Sequence, residues 1–69
     1  MNLIIEFNQE DDGKWSAGIS KLHRCEIHGA ASKEEAHRKV QAYAFEKLAK
    51  LLEINEIPAL TSIRFTEGI

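Results

Sequence analysis

The sequence is poor in the features that would narrow a function at once. Cysteine occurs once, as Cys25, so no internal disulfide is available and a reducing, cytoplasmic setting is expected. No apolar run approaches the ~20 residues of a membrane-spanning helix, and Met1 to Phe7 has Glu6 but none of the basic residues that open a secretory signal. No membrane association is therefore expected. There is also no basic block or stripe. With a net charge of −2, direct binding to a phosphate backbone is not expected. Proline occurs once and no low-complexity segment interrupts the chain, which excludes a linker between domains. What remains is an ordinary globular balance, 43% apolar and 29% charged. At 69 residues it suffices for a single domain, 1–69, near the lower limit of a self-sufficient core. Domains this small often gain stability by association, so a homo-oligomer is expected.

Periodicity then places the elements. Leu3, Ile5 and Phe7 alternate with polar neighbours, with Ile4 as the exception, and predict a strand over Asn2 to Asn8. Asp12-Gly13 suits a tight hairpin. Trp15, Ala17 and Ile19 make the core face of the return strand, so Trp15 is expected to be core. A short third strand is predicted from Arg24 to His28, with Cys25 and Ile27 inward and Arg24, Glu26 and His28 outward. Gly29 is expected to end it in a sharp turn. Ser32-Lys33-Glu34-Glu35 has the form of a capping box and starts a helix running to about Leu52. Its main stripe is Ala36, Val40, Tyr43, Ala44, Leu48 and Leu51. Asn55 offers a left-handed stop, and Pro58 forces Ile57 to be extended. Ala59, Thr61, Ile63 and Phe65 alternate with Leu60, Ser62, Arg64 and Thr66 as a last strand.

Two hairpins and a right-handed crossover by the helix favour the sheet order 3-2-1-4, with the fourth strand parallel to the first. The fold class is α+β, in the order β-β-β-α-β, with the helix on the face carrying Leu3, Phe7, Trp15 and Ile63.

Several short motifs now stand in order along the chain: Ile4-Ile5-Glu6, Asp12-Gly13-Lys14-Trp15-Ser16-Ala17, Leu22-His23-Arg24-Cys25, Gly29, and Ser32-Lys33-Glu34-Glu35-Ala36. Over residues 1–53 they resemble the HicB antitoxin family. Its pattern is a Gly-aromatic-x-Ala strand, a Leu-Pro-Gly-Cys turn, a glycine four residues on, and Thr-x-Glu-Glu-Ala. His23-Arg24 replaces the usual Pro-Gly, and one extra residue separates Gly29 from the capping serine. The resemblance implies a partial ribonuclease H-like fold and a domain that binds and masks a small ribonuclease toxin of the HicA kind. A DNA-binding domain, which many members carry beyond this point, is not expected in 1–69, and operator binding is not implied. The alternative is an orphan oligomeric domain that binds a small ligand or nucleic acid.

Chemistry is not expected. His23, Cys25 and His28 match no zinc spacing: on a strand His23 and Cys25 point one way and His28 the other. A buried apolar thiol is the simpler reading of Cys25. Glu6 and Glu26 share the open sheet face, but the second strand separates them, with Ser16 or Gly18 between. No nucleophile, base and orienter can be assembled, so no catalytic residue, metal or cofactor is assigned. The informative excess is a second apolar stripe on the helix, Ala42, Phe45, Ala49 and Leu52, wider than one helix on one sheet requires. It either folds under Ile54, Ile57 and Pro58 or forms an interface. Candidate contact surfaces are this flank (Phe45, Ala49, Leu52), the third strand (Arg24, Glu26, His28) and the last strand (Leu60, Ser62, Arg64). The last strand is favoured for self-association. The third strand or the helix flank is favoured for a different partner.

Overall fold

The computed structural model describes residues 1–68; Ile69, the end of the expected domain, lies outside them. The elements are β1 (Asn2–Gln9), β2 (Trp15–Ile19), β3 (Cys25–Ala30), α1 (Lys33–Glu53) and β4 (Arg64–Glu67). They form an α+β fold with one four-stranded sheet in the order β3-β2-β1-β4. β1 and β4 are parallel, and the other pairs are antiparallel. This is the topology expected from the sequence.

The core is thin and made of small pieces. Leu3 and Ile5 from β1, Ala17 and Ile19 from β2, and Cys25 and Ala30 from β3 meet Ala36, Val40, Ala44 and Leu48 of α1. Those four helix residues are one i, i+4 row. Leu22, in the β2–β3 turn, closes one end. Trp15 and Phe7 lie on the core face but are only half-buried, packed against the core from its margin. Trp15 is therefore not the core residue it was expected to be. It sits at the first position of β2, opposite Gln9 and Ala30.

Local chemistry sets the element ends. Glu10 and Lys14 close the first hairpin through a 2.7 Å bond from the Glu10 amide to the Lys14 carbonyl, and Gly13 donates back to the Glu10 carbonyl at 2.9 Å. Only Gly13 has a positive φ, 85°, so the loop is the three-residue kind and not a two-residue Asp-Gly turn. Ser32 caps α1, its Oγ accepting from the Glu35 amide at 3.1 Å. The Glu35 carboxylate pairs with Lys39 one turn on, at 2.9 Å, and reaches back to the backbone at Ala31, next to Ser32. At the other end Asn55 has φ 64°, with Glu56 donating to the Leu51 carbonyl at 2.9 Å and Asn55 to that of Leu52 at 3.2 Å. This is a Schellman stop, with asparagine in the place glycine usually takes.

Two boundaries differ from the sequence reading. Gly29 does not end the third strand. Trp15 pairs with Ala30 and Ala17 with Ile27, so β3 spends three steps where β2 spends two. Gly29, at φ 74°, is the positive-φ residue of this bulge, and its amide donates to Glu10 Oε1 at 3.3 Å. The extra residue turns Ala30 back to the core side, where it is fully buried. The last strand also starts later than expected. Ala59 to Ile63 is irregular, with Ala59 and Thr61 exposed and Leu60 and Ile63 half-buried. Pairing with β1 begins only where the Arg64 amide reaches the Met1 carbonyl at 2.8 Å.

A β-carbon at Gly29 would meet nothing within 4 Å, so its cost is confined to the backbone. Gly29→Ala is expected to lower stability by about 1–2 kcal/mol. Gly29→Asn should recover part of that loss, because asparagine tolerates the left-handed region. Thermal melts of the two variants read the difference, and equal melts would mean that the loss is not conformational.

Candidate interaction surfaces

Two separate surfaces emerge, one on each side of the sheet. The first is the open face, away from α1. The register aligns Glu6, Gly18 and Glu26 in one row and sets Asn8 opposite Ser16 in the next. Gly18 thus leaves a gap between two carboxylates on strands β1 and β3. His28, near Glu26 on β3, has Nε2 3.8 Å from Glu26 Oε1 and Nδ1 3.7 Å from Glu10 Oε2. These are loose, exposed contacts, and their attraction is modest.

Arg24 is not on β3, where the sequence placed it. It lies in the preceding turn with φ 56°, a conformation that costs a non-glycine residue of the order of 1 kcal/mol. The turn is held by the Leu22 amide on the Ile19 carbonyl at 3.1 Å and the Cys25 amide on the Leu22 carbonyl at 3.2 Å. His23 and Arg24 are therefore exposed while Leu22 and Cys25 go inward. Burial pushes the Cys25 thiol above its ordinary pKa, an effect partly offset by Lys47. His37 is occupied elsewhere: its ring meets Phe7 edge-on at 5.5 Å, and its Nε2 lies 2.9 Å from Gln41 Nε2. Among the described residues no three of His, Cys, Asp and Glu are grouped as a metal site would need. Nor, among them, is any helix long and apolar enough to cross a membrane.

The second surface is on the helix side of β4. Phe45, Ala49 and Leu52 of the helix flank face Leu60, Ser62 and Ile63 across a shallow groove floored by Leu48. Two regions that the sequence offered as alternatives, the helix flank and the last strand, are thus one surface. The connector does not cover it: Phe45 is 51% exposed, Leu52 39% and Ile54 60%. Leu60 and Ser62 line the groove from the irregular segment and are not edge-strand positions, whereas Arg64 is the first residue of β4. Phe65 was not singled out from the sequence as a contact residue, yet its ring meets Phe45 edge-on at 5.6 Å and 73°. Its inward alternation was the available signal. The amino group of Met1 secures the segment's end, donating to the Ser62 carbonyl at 2.8 Å.

At the far end of β4, Glu67 pairs with Lys33 at the start of α1. Lys33 also lies 4.9 Å above the Phe7 ring. The lysine holds the Glu67 carboxyl below its usual pKa, as Lys39 does for Glu35.

Comparison with known protein families, with characterised proteins and with solved structures returns no match.

Two predictions arise here. Cys25 is 3% exposed with its pKa raised, so a disulfide reagent at neutral pH should modify it far more slowly in the native chain than in denaturant. Rapid native reaction would place the thiol outside the core. Glu35 and Glu67 bind protons less readily in the folded chain than in the unfolded one. Their contribution is complete above the ordinary glutamate pKa of about 4.3 and is lost as pH falls through their lower folded values. Melting temperature should therefore drop on acidification from about pH 5 to 3, and Glu67→Gln should flatten part of that drop.

Proposed function

We propose that this chain is a HicB-like binding module, an antitoxin or regulator that occludes a small ribonuclease toxin of the HicA kind, and that it has no catalysis of its own. The observation that carries the reading is the backbone at Arg24. The resemblance places a glycine at this position of the Leu-His-Arg-Cys turn, and the chain takes there the positive φ, 56°, that glycine favours. A sequence departure is thus accommodated in the family's expected turn conformation. The sheet order β3-β2-β1-β4 with a single covering helix also agrees with a partial ribonuclease H-like domain.

The partner surface in this reading is the β3 edge and the adjoining open face, where Arg24, Glu26 and His28 are exposed. Glu6, Glu10 and Glu26 give that side a carboxylate character suited to a small basic protein. β3 is an edge of the sheet and can accept a strand from another chain, while its charges discourage indiscriminate pairing.

The test is capture from the native host with mass spectrometry, followed by an RNA-cleavage assay on whatever small basic protein is recovered. A stoichiometric amount of this chain should suppress that protein's ribonuclease activity. Glu26→Lys, which changes an exposed side chain, should leave the melt intact and weaken binding about tenfold, mostly through the association rate. Recovery of no ribonuclease, or of one whose activity the chain leaves unchanged, would overturn the reading.

A further inference from the structure

We infer that the free edge of β4 and the groove beside it bind a second copy of this chain, joining two sheets into one through an antiparallel, two-fold pairing of β4 with β4. The inference is independent of the partner reading above, since it uses the opposite edge of the sheet.

The backbone comes first. The Arg64 amide bonds to the Met1 carbonyl and the Gly68 amide to the Ile5 carbonyl, each at 2.8 Å. In a parallel strand the amide and carbonyl of one residue point to the same side, so Arg64, Thr66 and Gly68 face β1. Ile63, Phe65 and Glu67 therefore turn their amides and carbonyls to the free edge. Such a row is a template for another strand.

Symmetry then restricts the register. Residues directly opposite in an antiparallel pair point to the same face, so two-fold pairing within one continuous sheet must match odd positions with odd or even with even. Pairing Phe65 with Phe65 of the second copy aligns all three outward residues, with Ile63 opposite Glu67 and the reverse. It sets Arg64 opposite Thr66 on the open face. Centring the pair on Glu67 would instead oppose two carboxylates. The Phe65 register also extends the existing Phe45–Phe65 contact into a four-ring cluster across the two-fold axis.

Area supports a second copy as the occupant. A folded monomer of 7.8 kDa should expose about 4,400 Å² by the usual area-to-mass scaling. This chain exposes 5081 Å². The excess, roughly 700 Å², is close to the ~800 Å² that each partner contributes to a standard interface. The groove is also uncharged along its lining, Phe45, Leu48, Ala49, Leu52, Leu60 and Ile63 with Thr61 and Ser62, as the centre of an interface tends to be.

Sedimentation equilibrium of the whole chain should give a mass twice 7.8 kDa at about 100 μM. Glu67→Pro removes an outward amide without touching the bonds to β1 and should return the monomer. Glu67→Gln, which loses the Lys33 pair but keeps that amide, should stay dimeric. Phe45→Glu changes an exposed helix position and should also dissociate the pair, so the test survives if the proline variant does not fold. Mixing Arg64→Cys with Thr66→Cys chains under oxidation should give a disulfide-linked heterodimer in preference to either homodimer. A wild-type monomer at that concentration would overturn the inference and leave the groove to another occupant, such as a further segment of a longer chain. A dimer that both Glu67→Pro and Phe45→Glu leave intact would move the interface elsewhere, and a dimer with no preferential cross-link would overturn the register.

Discussion

One helix has to cover a four-stranded sheet, and it cannot. Strands spaced about 4.8 Å apart make a sheet nearly 20 Å wide, whereas a helix with its side chains is about 10–12 Å across. The row Ala36, Val40, Ala44 and Leu48 decides where that limited cover goes. Two alanines at the contact let the helix backbone settle against β2 and β3, which it approaches far more closely than β1 or β4. The core forms there, from Ala17, Ile19, Cys25 and Ala30, with Leu3 and Ile5 at its far side. β4 is reached through long side chains, Phe45 onto Phe65 and Lys33 onto Glu67.

The rest of the surface follows from that placement. Partly buried side chains ring the core at its margin: Phe7, Trp15, Ile27, Ile63 and Phe65, together with Tyr43 and Leu51 of the helix itself. On the open face the same sheet carries glutamates and small polar residues, which water can solvate. The chain therefore has an under-covered apolar groove beside β4, a strand that itself carries Arg64 and Glu67, and a β3 edge that carries Glu26 and His28. The apolar groove on one side and the carboxylate-bearing open face on the other favour two kinds of contact, and the proposals for self-association and for a different partner divide between them on that ground.

Cys25, His23 and His28 illustrate how spacing and geometry combine. They lie within six positions of each other, yet the turn sends Cys25 into the core and leaves His23 exposed. His28 lies near Glu10 and Glu26, across loose contacts on the outer face. The turn separates His23 from Cys25, and the strand's alternation separates Cys25 from His28, before any question of metal affinity arises.

Features decided within a few residues were legible in the sequence alone. The Ser32 cap, the Asn55 stop, the alternation of β1 and β2 and the row of Ala36, Val40, Ala44 and Leu48 each rest on local geometry. With short connections and the handedness of the crossover, they were enough to determine the sheet order. Tertiary structure decided the rest. Gly29 reads as a stop in sequence, but the need to return Ala30 to the core and the Glu10 carboxylate waiting on its amide make it a bulge. The alternation from Ala59 to Ile63 reads as strand, but the ladder with β1 runs only from Arg64 to Glu67, and Leu60 and Ile63 lie against the helix flank instead. The groove between Phe45 and Leu60 depends on two segments meeting across the fold, and how far one helix reaches over four strands is set by packing that no local pattern records.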